Sequence, residues 1–357
     1  MKYISTILLA ALSLTSIIYT QDKPVPKISG YMFGEYFYNV ARDTGISSLS
    51  NVATGGKKDL NGFQFRRIYF TYDNEISSTF SARFRLEGTT GSPIIKDAYL
   101  KWKNVFDGSD LLFGLQPTPA FEISEGFWGY RSLEKTILDL RGIVTSRDLA
   151  VSLKGKLDES AMIKYWVMFG NNSSTGAESD KYKRLYAHLQ FAPTEKISLT
   201  VYSDYKMQPS INDLKSTSTP KATLNHNALT TAVFAGYTEK DMFKFGFEGF
   251  LQSTPNDYKD GSPDSLVSKN AIGLSVFGSY NLSAVLSLVG RYDLFDPNMN
   301  NKAKSDSRNY FIFGADWKAD KNVSIIPNIL YETYEGIGSR SVEASVTARI
   351  TLFYTFL

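Results

Sequence analysis

Positively charged side chains recur at every second position in several stretches of the sequence. In one of them, Arg83 and Arg85 alternate with Phe84 and Leu86. The cations in this alternating phase are Arg67, Arg83, Arg85, Lys101, Lys103, Lys154, Lys156, Lys164 and Arg184. Successive side chains of a β-strand point to opposite faces, so these cations would share one face. Rows of Arg and Lys along a narrow aqueous passage concentrate anions, which predicts non-covalent anion binding.

Carboxylates occupy the same face. Further cations in this phase are Lys206, Lys244, Arg291 and Arg349, and the carboxylates are Glu35, Glu87, Asp97, Asp204, Glu248, Asp293, Glu332 and Glu343. The cations outnumber the carboxylates, which favours a net preference for anions. The alternative is that Arg83, Arg85 and Glu87 pair across neighbouring strands and cancel one another.

A second set of charges lies in the long segment 117–147. The candidate residues are Arg131, Glu134, Lys135, Arg141 and Arg147. Connections of this length are commonly functional, and the partly apolar sequence PTPAFEISEGFWGYRSLEKTILDLRG fits packing against an inner wall. We therefore predict that the segment folds inward and narrows the passage as a constriction loop. The alternative is a surface loop held by its own contacts.

Metal and enzyme chemistry find little support in the sequence. The two histidines, His188 and His226, are far apart, and cysteine is absent. No metal-ligand cluster, Ser-His-acid arrangement or phosphate-binding glycine loop can be argued from the spacing. A net charge of +3 does not indicate a nucleic-acid partner. We predict no enzyme activity, no cofactor and no metal.

The elements that would position these charges are long alternating strands. Residues 341–356 are apolar at Val342, Ala344, Val346, Ala348, Ile350, Leu352, Tyr354 and Phe356, with mostly polar residues between. A strand this long with one apolar face suits lipid on one side and water on the other. Aromatics make up 14% of the sequence, which we assign to the two interfacial girdles of a membrane barrel. The alternative is a soluble β-sandwich.

Short polar turns and long polar connections alternate along the chain. The long connections are predicted near residues 41–61, 88–94, 117–147, 171–181, 207–227, 252–269, 295–308 and 334–340. This pattern predicts an all-β transmembrane antiparallel barrel of about 16 strands, with 14 or 18 as alternatives. Residues 27–357 would form this single domain, with short periplasmic turns and long extracellular loops. A barrel of this size leaves an aqueous channel.

The N-terminal residues resemble an export signal. Residues 1–20 contain one cation, Lys2, followed by an uncharged apolar stretch. This stretch is short for a membrane helix, so we predict a signal peptide cleaved near residues 20–22, with a retained anchor as the alternative. The expected location is the outer membrane of a Gram-negative-type cell. Phe356 near the C-terminus is similar to the signal that the barrel-assembly machinery reads, although the final residue is Leu357.

Several motifs resemble the phosphate-selective porin family, porins O and P. They are GFQFRR (62–67), IKDAYL (95–100), GLQP (114–117), the pair Glu134 and Lys135, and the stretch 317–332 with its IPN motif. The resemblance spans most of the chain beyond the signal, and its clearest matches precede about residue 160. It implies a sixteen-stranded homotrimeric channel whose Arg and Lys residues pass anions from site to site, with Arg131, Lys135 and Arg141 as candidate phosphate contacts.

Together these features predict a porin for passive diffusion of small, phosphate-like anions. Its expected partners are small anions such as phosphate, outer-membrane lipid, further copies of the chain in a homotrimer, periplasmic chaperones and the barrel-assembly machinery. The alternative function is a surface receptor or adhesin that acts through extracellular loops such as 207–227.

Overall fold

The protein folds into a closed antiparallel β-barrel. The computed structural model describes residues 25–43, 57–261, 265–300, 303, 306–336 and 339–357; the predicted signal peptide and most of the predicted loop 41–61 lie outside them. Within these residues, sixteen strands close the barrel, which confirms the predicted fold class and strand number. Each strand pairs with its neighbours along the chain, and the first strand pairs with the last to complete the cylinder.

The barrel strands have the following bounds: β1 Lys27–Ala41, β2 Asn61–Glu75, β3 Phe80–Gly88, β4 Ile94–Phe106, β5 Ser109–Pro117, β6 Arg147–Lys156, β7 Ile163–Gly170, β8 Arg184–Thr194, β9 Ile197–Lys206, β12 Ala228–Glu239, β13 Phe243–Lys259, β14 Leu266–Asn281, β15 Leu286–Asp296, β16 Arg308–Asp320, β17 Val323–Tyr334 and β18 Ser345–Thr355. A small hairpin, β10 Ile211–Asn212 and β11 Thr223–Leu224, lies in the connection between β9 and β12.

Short and long connections alternate around the barrel, which gives it a turn end and a loop end. Two predicted boundaries are wrong. The long connection predicted at 252–269 is mostly strand, because β13 continues to Lys259 and β14 begins at Leu266. The C-terminal row predicted from residue 341 begins only at Ser345. Alternation of apolar and polar residues alone therefore does not locate the strand ends.

The outer face of the barrel is apolar. Exposed outward side chains include Phe84, Leu100, Phe113, Val151, Val167, Leu185, Leu189, Val201, Leu229, Val233, Leu251, Leu288, Phe313, Ile329, Ile350 and Leu352. They alternate with inward residues, as the period of a strand requires. A belt of this size would be unfavourable in water and suits contact with hydrocarbon.

The interior is much less polar than the alternation predicted. Phe37, Phe234, Phe250, Phe277 and Phe295 are buried inside the barrel. Our assignment of the surplus aromatics to interfacial girdles is therefore incomplete, since many of them fill the interior. The reason is that residues 118–146, which we call the inserted segment, lie inside the barrel and need an apolar wall to pack against.

The inserted segment contains two short helices. They are α1 Glu122–Trp128 and α2 Ile137–Leu140. Gly129 ends α1 in a left-handed conformation with φ of 70°, and its N–H donates to the carbonyl of Glu125. The predicted boundaries 117 and 147 belong to the walls, since Pro117 ends β5 and Arg147 begins β6. No helix among the described residues is long and apolar enough to cross a membrane.

Candidate functional site

One side of the inserted segment is attached to the inner wall by apolar packing. Leu133, Ile137 and Leu138 are completely buried. One cluster joins Phe121, Ile137, Leu138, Ile143 and Val144 of the segment to Ala150, Trp166, Met168, Tyr186, Tyr202, Ala232, Phe250, Ala271 and Phe295 of the wall. A second joins Trp128, Leu133 and Leu140 to Phe37, Phe234, Phe277, Val289, Tyr310, Ile312, Ile326 and Leu330. The two clusters as described therefore contain wall residues from β6 round to β17 and from β1, and none from β2 to β5.

A glycine in the wall allows the closest approach of α1. A Cβ atom at Gly236 would lie 2.5 Å from the Phe127 ring, which itself packs edge-on against Phe234 at 5.2 Å between centroids. Any larger side chain on this side of β12 would push α1 away from the wall.

Wall arginines fix the segment through its main chain. Arg66 donates to the carbonyls of Ser132 and Leu133 at 2.8 and 3.0 Å, and Arg349 donates to the carbonyl of Leu133 at 3.0 Å. Both guanidinium groups also pair with the buried carboxylate of Glu35, at 3.3 and 3.2 Å. A guanidinium has five donors in a fixed plane, so it can satisfy carbonyls and a carboxylate together.

Two further wall arginines repeat this arrangement. Arg291 donates to the carbonyl of Lys135 while it pairs with Asp293. Arg184 donates to the carbonyl of Ile143 at 3.2 Å while it pairs with Asp204 at 2.7 Å. The position of the segment therefore depends on buried charged contacts as well as on apolar packing.

We expect Arg66→Met to destabilise the protein by about 3–5 kcal/mol, because it leaves the buried Glu35 with one cation and the Ser132 carbonyl without its arginine donor. The measurement is the midpoint of urea unfolding in detergent micelles. The matched control is Arg83→Met, whose side chain is 31% exposed and pairs with Asp73 near the turn end; it should cost less than about 1 kcal/mol. Equal losses in the two variants would contradict the anchoring role of Arg66.

On the uncovered side, a group of charges faces the remaining space. In the wall, Glu87 bridges Arg67 at 3.0 Å and Lys96 at 2.9 Å. Asp97 bridges Arg85, at 3.5 Å, and Arg147. Each of these two carboxylates therefore serves two cations.

The inserted segment contributes the opposite side of this group. Arg131 pairs with Glu125 at 3.4 Å, and Lys135 pairs with Asp139 at 3.1 Å. Glu125 also interacts electrostatically with Asp139 of the segment and with Lys96 and Arg147 of the wall. We call the ten residues the interior charge cluster: Arg67, Arg85, Lys96, Arg131, Lys135, Arg147, Glu87, Asp97, Glu125 and Asp139.

The cluster carries an excess of positive charge that reaches solvent. Six cations and four carboxylates give it a formal net charge of +2. Its cationic side chains are 13–26% exposed, whereas Glu87, Asp97 and Asp139 are at most 8% exposed. Glu125 is the exception among the carboxylates, since its side chain is 35% exposed, more than any of the six cations. The exposed part of the cluster is therefore mainly positive.

The Glu125 carboxyl responds to its confined surroundings. Loss of solvent around it raises its pKa above the usual range, and the nearby Arg131 opposes this shift. Because protonation removes a negative charge, the net charge of the cluster becomes more positive as the pH falls.

Sequence reasoning missed Arg66 and Lys96 of the inner wall, and β-bulges explain these two omissions. In the β1–β2 pairing, Arg67 lies opposite Phe33 and Phe65 lies opposite Gly34, which leaves Arg66 unmatched. In the β3–β4 pairing Lys96 is unmatched in the same way. An extra residue places two consecutive side chains on one face, which strict alternation cannot predict. The only signals were the adjacent pairs Arg66-Arg67 and Lys96-Asp97.

The predicted site residues fall into three groups. Arg67, Arg85, Arg131, Lys135 and Arg147 belong to the interior charge cluster. A second group lies nearer the turn end. Three of its members form ion pairs: Arg83 with Asp73, Lys101 with Asp110 and Lys103 with Glu75. Lys154 lies over the Trp166 ring, Lys156 donates to the Glu159 carbonyl, and Lys164 is opposite Lys156 in register. Arg184, Arg141 and Glu134 are buried, with Arg141 bound to Glu332 at 2.9 Å and Glu134 within 4.0 Å of Arg66, so these three support the segment.

Metal chemistry gains no candidate site. Among the residues that the structure describes, no group of three or more histidine or carboxylate side chains is arranged to hold a metal ion.

No protein-family model and no curated protein matches this sequence. Solved structures do share its fold. The outer membrane channel DcaP of Acinetobacter baumannii has a TM-score of 0.65 at 13% identity, over 94% of this chain and 99% of that chain. The anion-selective porin from Comamonas acidovorans has a TM-score of 0.64 at 11% identity, over 93% and 99%. The trimer form of OmpT, an outer membrane protein of Vibrio cholerae, has a TM-score of 0.58 at 11% identity, over 93% and 99%. Membership of the phosphate-selective family stays a prediction.

Proposed function

We propose that the protein is an outer-membrane porin through which small anions diffuse passively. The observation that carries this proposal is the interior charge cluster, whose cations reach the passage while most of its carboxylates are buried beneath them. In a narrow, low-dielectric passage, exposed cations raise the local concentration of anions and repel cations. The fold shared with outer-membrane channels and porins supports the same function.

The inserted segment serves in this proposal as the constriction loop. Its apolar side packs against β6–β17 and β1, and in this proposal ions pass between its other side and the wall of β2–β5. Both sides of that gap belong to the cluster, with Arg131 and Lys135 on the segment and Arg85 and Lys96 on the wall. Selectivity would arise here, because every permeating ion comes within reach of these groups.

Narrower parts of the proposal rest on the sequence. Phosphate-like solutes are expected from the resemblance to porins O and P, as are delivery by periplasmic chaperones and the barrel-assembly machinery after cleavage of residues 1–20. A homotrimer is also expected, and the trimer form of the structurally similar OmpT agrees with it.

The test is conductance of the purified protein in planar lipid bilayers under a KCl gradient. We expect stable ion channels whose reversal potential shows chloride to be more permeant than potassium. Chloride preference should increase between pH 7.5 and pH 4.5, because protonation of Glu125 removes a negative charge from the passage. An insulating protein would refute the porin proposal and favour the surface-receptor alternative. A potassium-preferring current would refute anion selectivity while leaving the channel.

A further inference from the structure

A large cavity lies on the turn-end side of the inserted segment. Its volume is about 880 Å³, which is enough for a small organic solute. It lies between the segment and the wall formed by β12–β18 and β1, and Arg131 of the interior charge cluster contributes to its lining. The cavity therefore adjoins the interior charge cluster at Arg131.

Aromatic rings form part of the cavity wall on two sides. Tyr31 of β1 and Phe353 of β18 lie 5.9 Å apart between ring centroids, and Trp128 and Tyr130 of the segment lie 5.6 Å apart. All four contribute to the lining. Aromatic faces bind the C–H faces of a saturated ring through dispersion and the ring quadrupole. The cavity is therefore suited to a solute with a flat, partly apolar face.

A carboxylate in the same wall has an unused acceptor. Asp316 of β16 is 5% exposed and lines the cavity. Its Oδ2 accepts a hydrogen bond from the Tyr130 hydroxyl at 3.3 Å, whereas its Oδ1 has no donor among the described residues. Ser287, its partner in register on β15, also lines the cavity. A buried carboxylate oxygen without a donor is unfavourable by about 1–3 kcal/mol or more, so a ligand with hydroxyl groups would be stabilised there.

Cations of the cavity favour a negative charge on the same ligand. Lys244 and Lys318 line the cavity, and neither has a carboxylate within ion-pair distance in the part of the chain that the structure describes. Arg131, which also lines the cavity, pairs with Glu125, and this carboxylate is itself partly exposed. The lining as a whole has five cations and four carboxylates, the latter being Glu195, Glu239, Asp241 and Asp316. An anionic group is therefore favoured beside Lys244 and Lys318, with hydroxyl donors toward Asp316 and a flat ring against the aromatic residues.

We propose that this cavity, which we call the turn-end site, binds acidic sugars, that is, monosaccharide rings that carry a carboxylate. The ring would lie against Tyr31 and Phe353, a hydroxyl would donate to Asp316, and the acid group would lie near Lys244 and Lys318. Inorganic phosphate would leave the aromatic walls unused, and an aromatic carboxylate would bring no hydroxyl donor to Asp316. The inference rests on the proposed function, of which it specifies the solute class.

Two measurements test it with D-glucuronate as the probe. In bilayers, glucuronate should block chloride current saturably, with a half-blocking concentration about tenfold lower than that of cyclohexanecarboxylate or glucose, which lack the hydroxyls or the charge. In detergent, glucuronate should change the tryptophan fluorescence of the protein with the same preference, because Trp128 lines the cavity. The second measurement needs no ion flow.

Variants separate the recognition groups. Asp316→Asn should weaken glucuronate binding about tenfold without weakening cyclohexanecarboxylate binding. Lys318→Gln, at an exposed position, should weaken glucuronate about threefold or more without changing glucose. Asp213→Asn, in the loop-end connection that carries β10 and β11, is the control and should change neither. Equal binding of all three probes, or unchanged glucuronate binding in both Asp316→Asn and Lys318→Gln, would overturn the inference. Fluorescence binding in a protein that conducts no ions would uphold the turn-end site and refute only the channel.

Discussion

Replacing Lys96 and Arg131 by glutamate should convert the proposed channel from chloride-preferring to potassium-preferring. The two residues lie on opposite sides of the passage, one on β4 and one on the inserted segment. Their reversal changes the formal charge of the interior charge cluster from +2 to −2, and the sign of a narrow passage decides which ion it concentrates. The measurement is the reversal potential in a KCl gradient, which should change sign.

A matched double substitution separates the effect of position in the barrel from the effect of the protein's net charge. Lys215→Glu with Lys221→Glu changes the net charge of the protein by the same amount but lies in the connection between β9 and β12, outside the cluster. It should leave the reversal potential nearly unchanged. A gentler variant, Lys96→Gln with Arg131→Gln, should reduce chloride preference without reversing it. Chloride preference that survives in both cluster variants would mean that selectivity arises elsewhere in the barrel.

Deleting residues 126–138 should raise the single-channel conductance at least about twofold, because it removes chain that occupies the interior of the barrel. The deletion takes out Trp128, Leu133 and Ile137, which attach the segment to the wall, together with Arg131 and Lys135. The freed wall arginines would be hydrated by the enlarged channel. Chloride preference should weaken at the same time, since the exposed charges of the segment are lost.

Removal of residues 216–220 is the control for this deletion. These residues lie in the connection that carries the small hairpin β10–β11, at the loop end and away from the inserted segment. Their loss should leave conductance unchanged. If the two deletion variants have the same single-channel conductance, the inserted segment does not limit ion flow.

The sequence predicts the barrel well because apolar and polar residues alternate regularly along the strands. Alternating residues in β3 and β18 identify strands with one apolar face, and the regular succession of turns and loops fixes their number. The wrong strand ends have a physical cause. β13 and β14 continue to pair through Ser253 and Thr254, and after an irregularity they pair again at Tyr258 and Lys259. Backbone hydrogen bonding does not require the regular alternation of apolar residues that marks the rest of the strand.

The site is predictable only in part. Arg67 and Arg85 follow the alternating phase, so the sequence finds them. Arg66 and Lys96 sit at bulges, which depend on the pairing of two strands and leave no mark on either alone. The apolar interior could not be predicted for a different reason. Phe234 and Phe277 face inward and pack against the inserted segment, and the sequence of a single strand does not show what packs against it.

The wall arginines bind carbonyl oxygens of the inserted segment. This attachment therefore does not depend on which side chains the segment carries. Arg66, Arg349, Arg291 and Arg184 hold the backbone at residues 132–143, and every amino acid has a carbonyl to offer. Side chains that point toward the water can therefore be exchanged while the aperture keeps its dimensions. Such a chain can evolve, or be engineered, toward a new permeant species without first rebuilding its architecture.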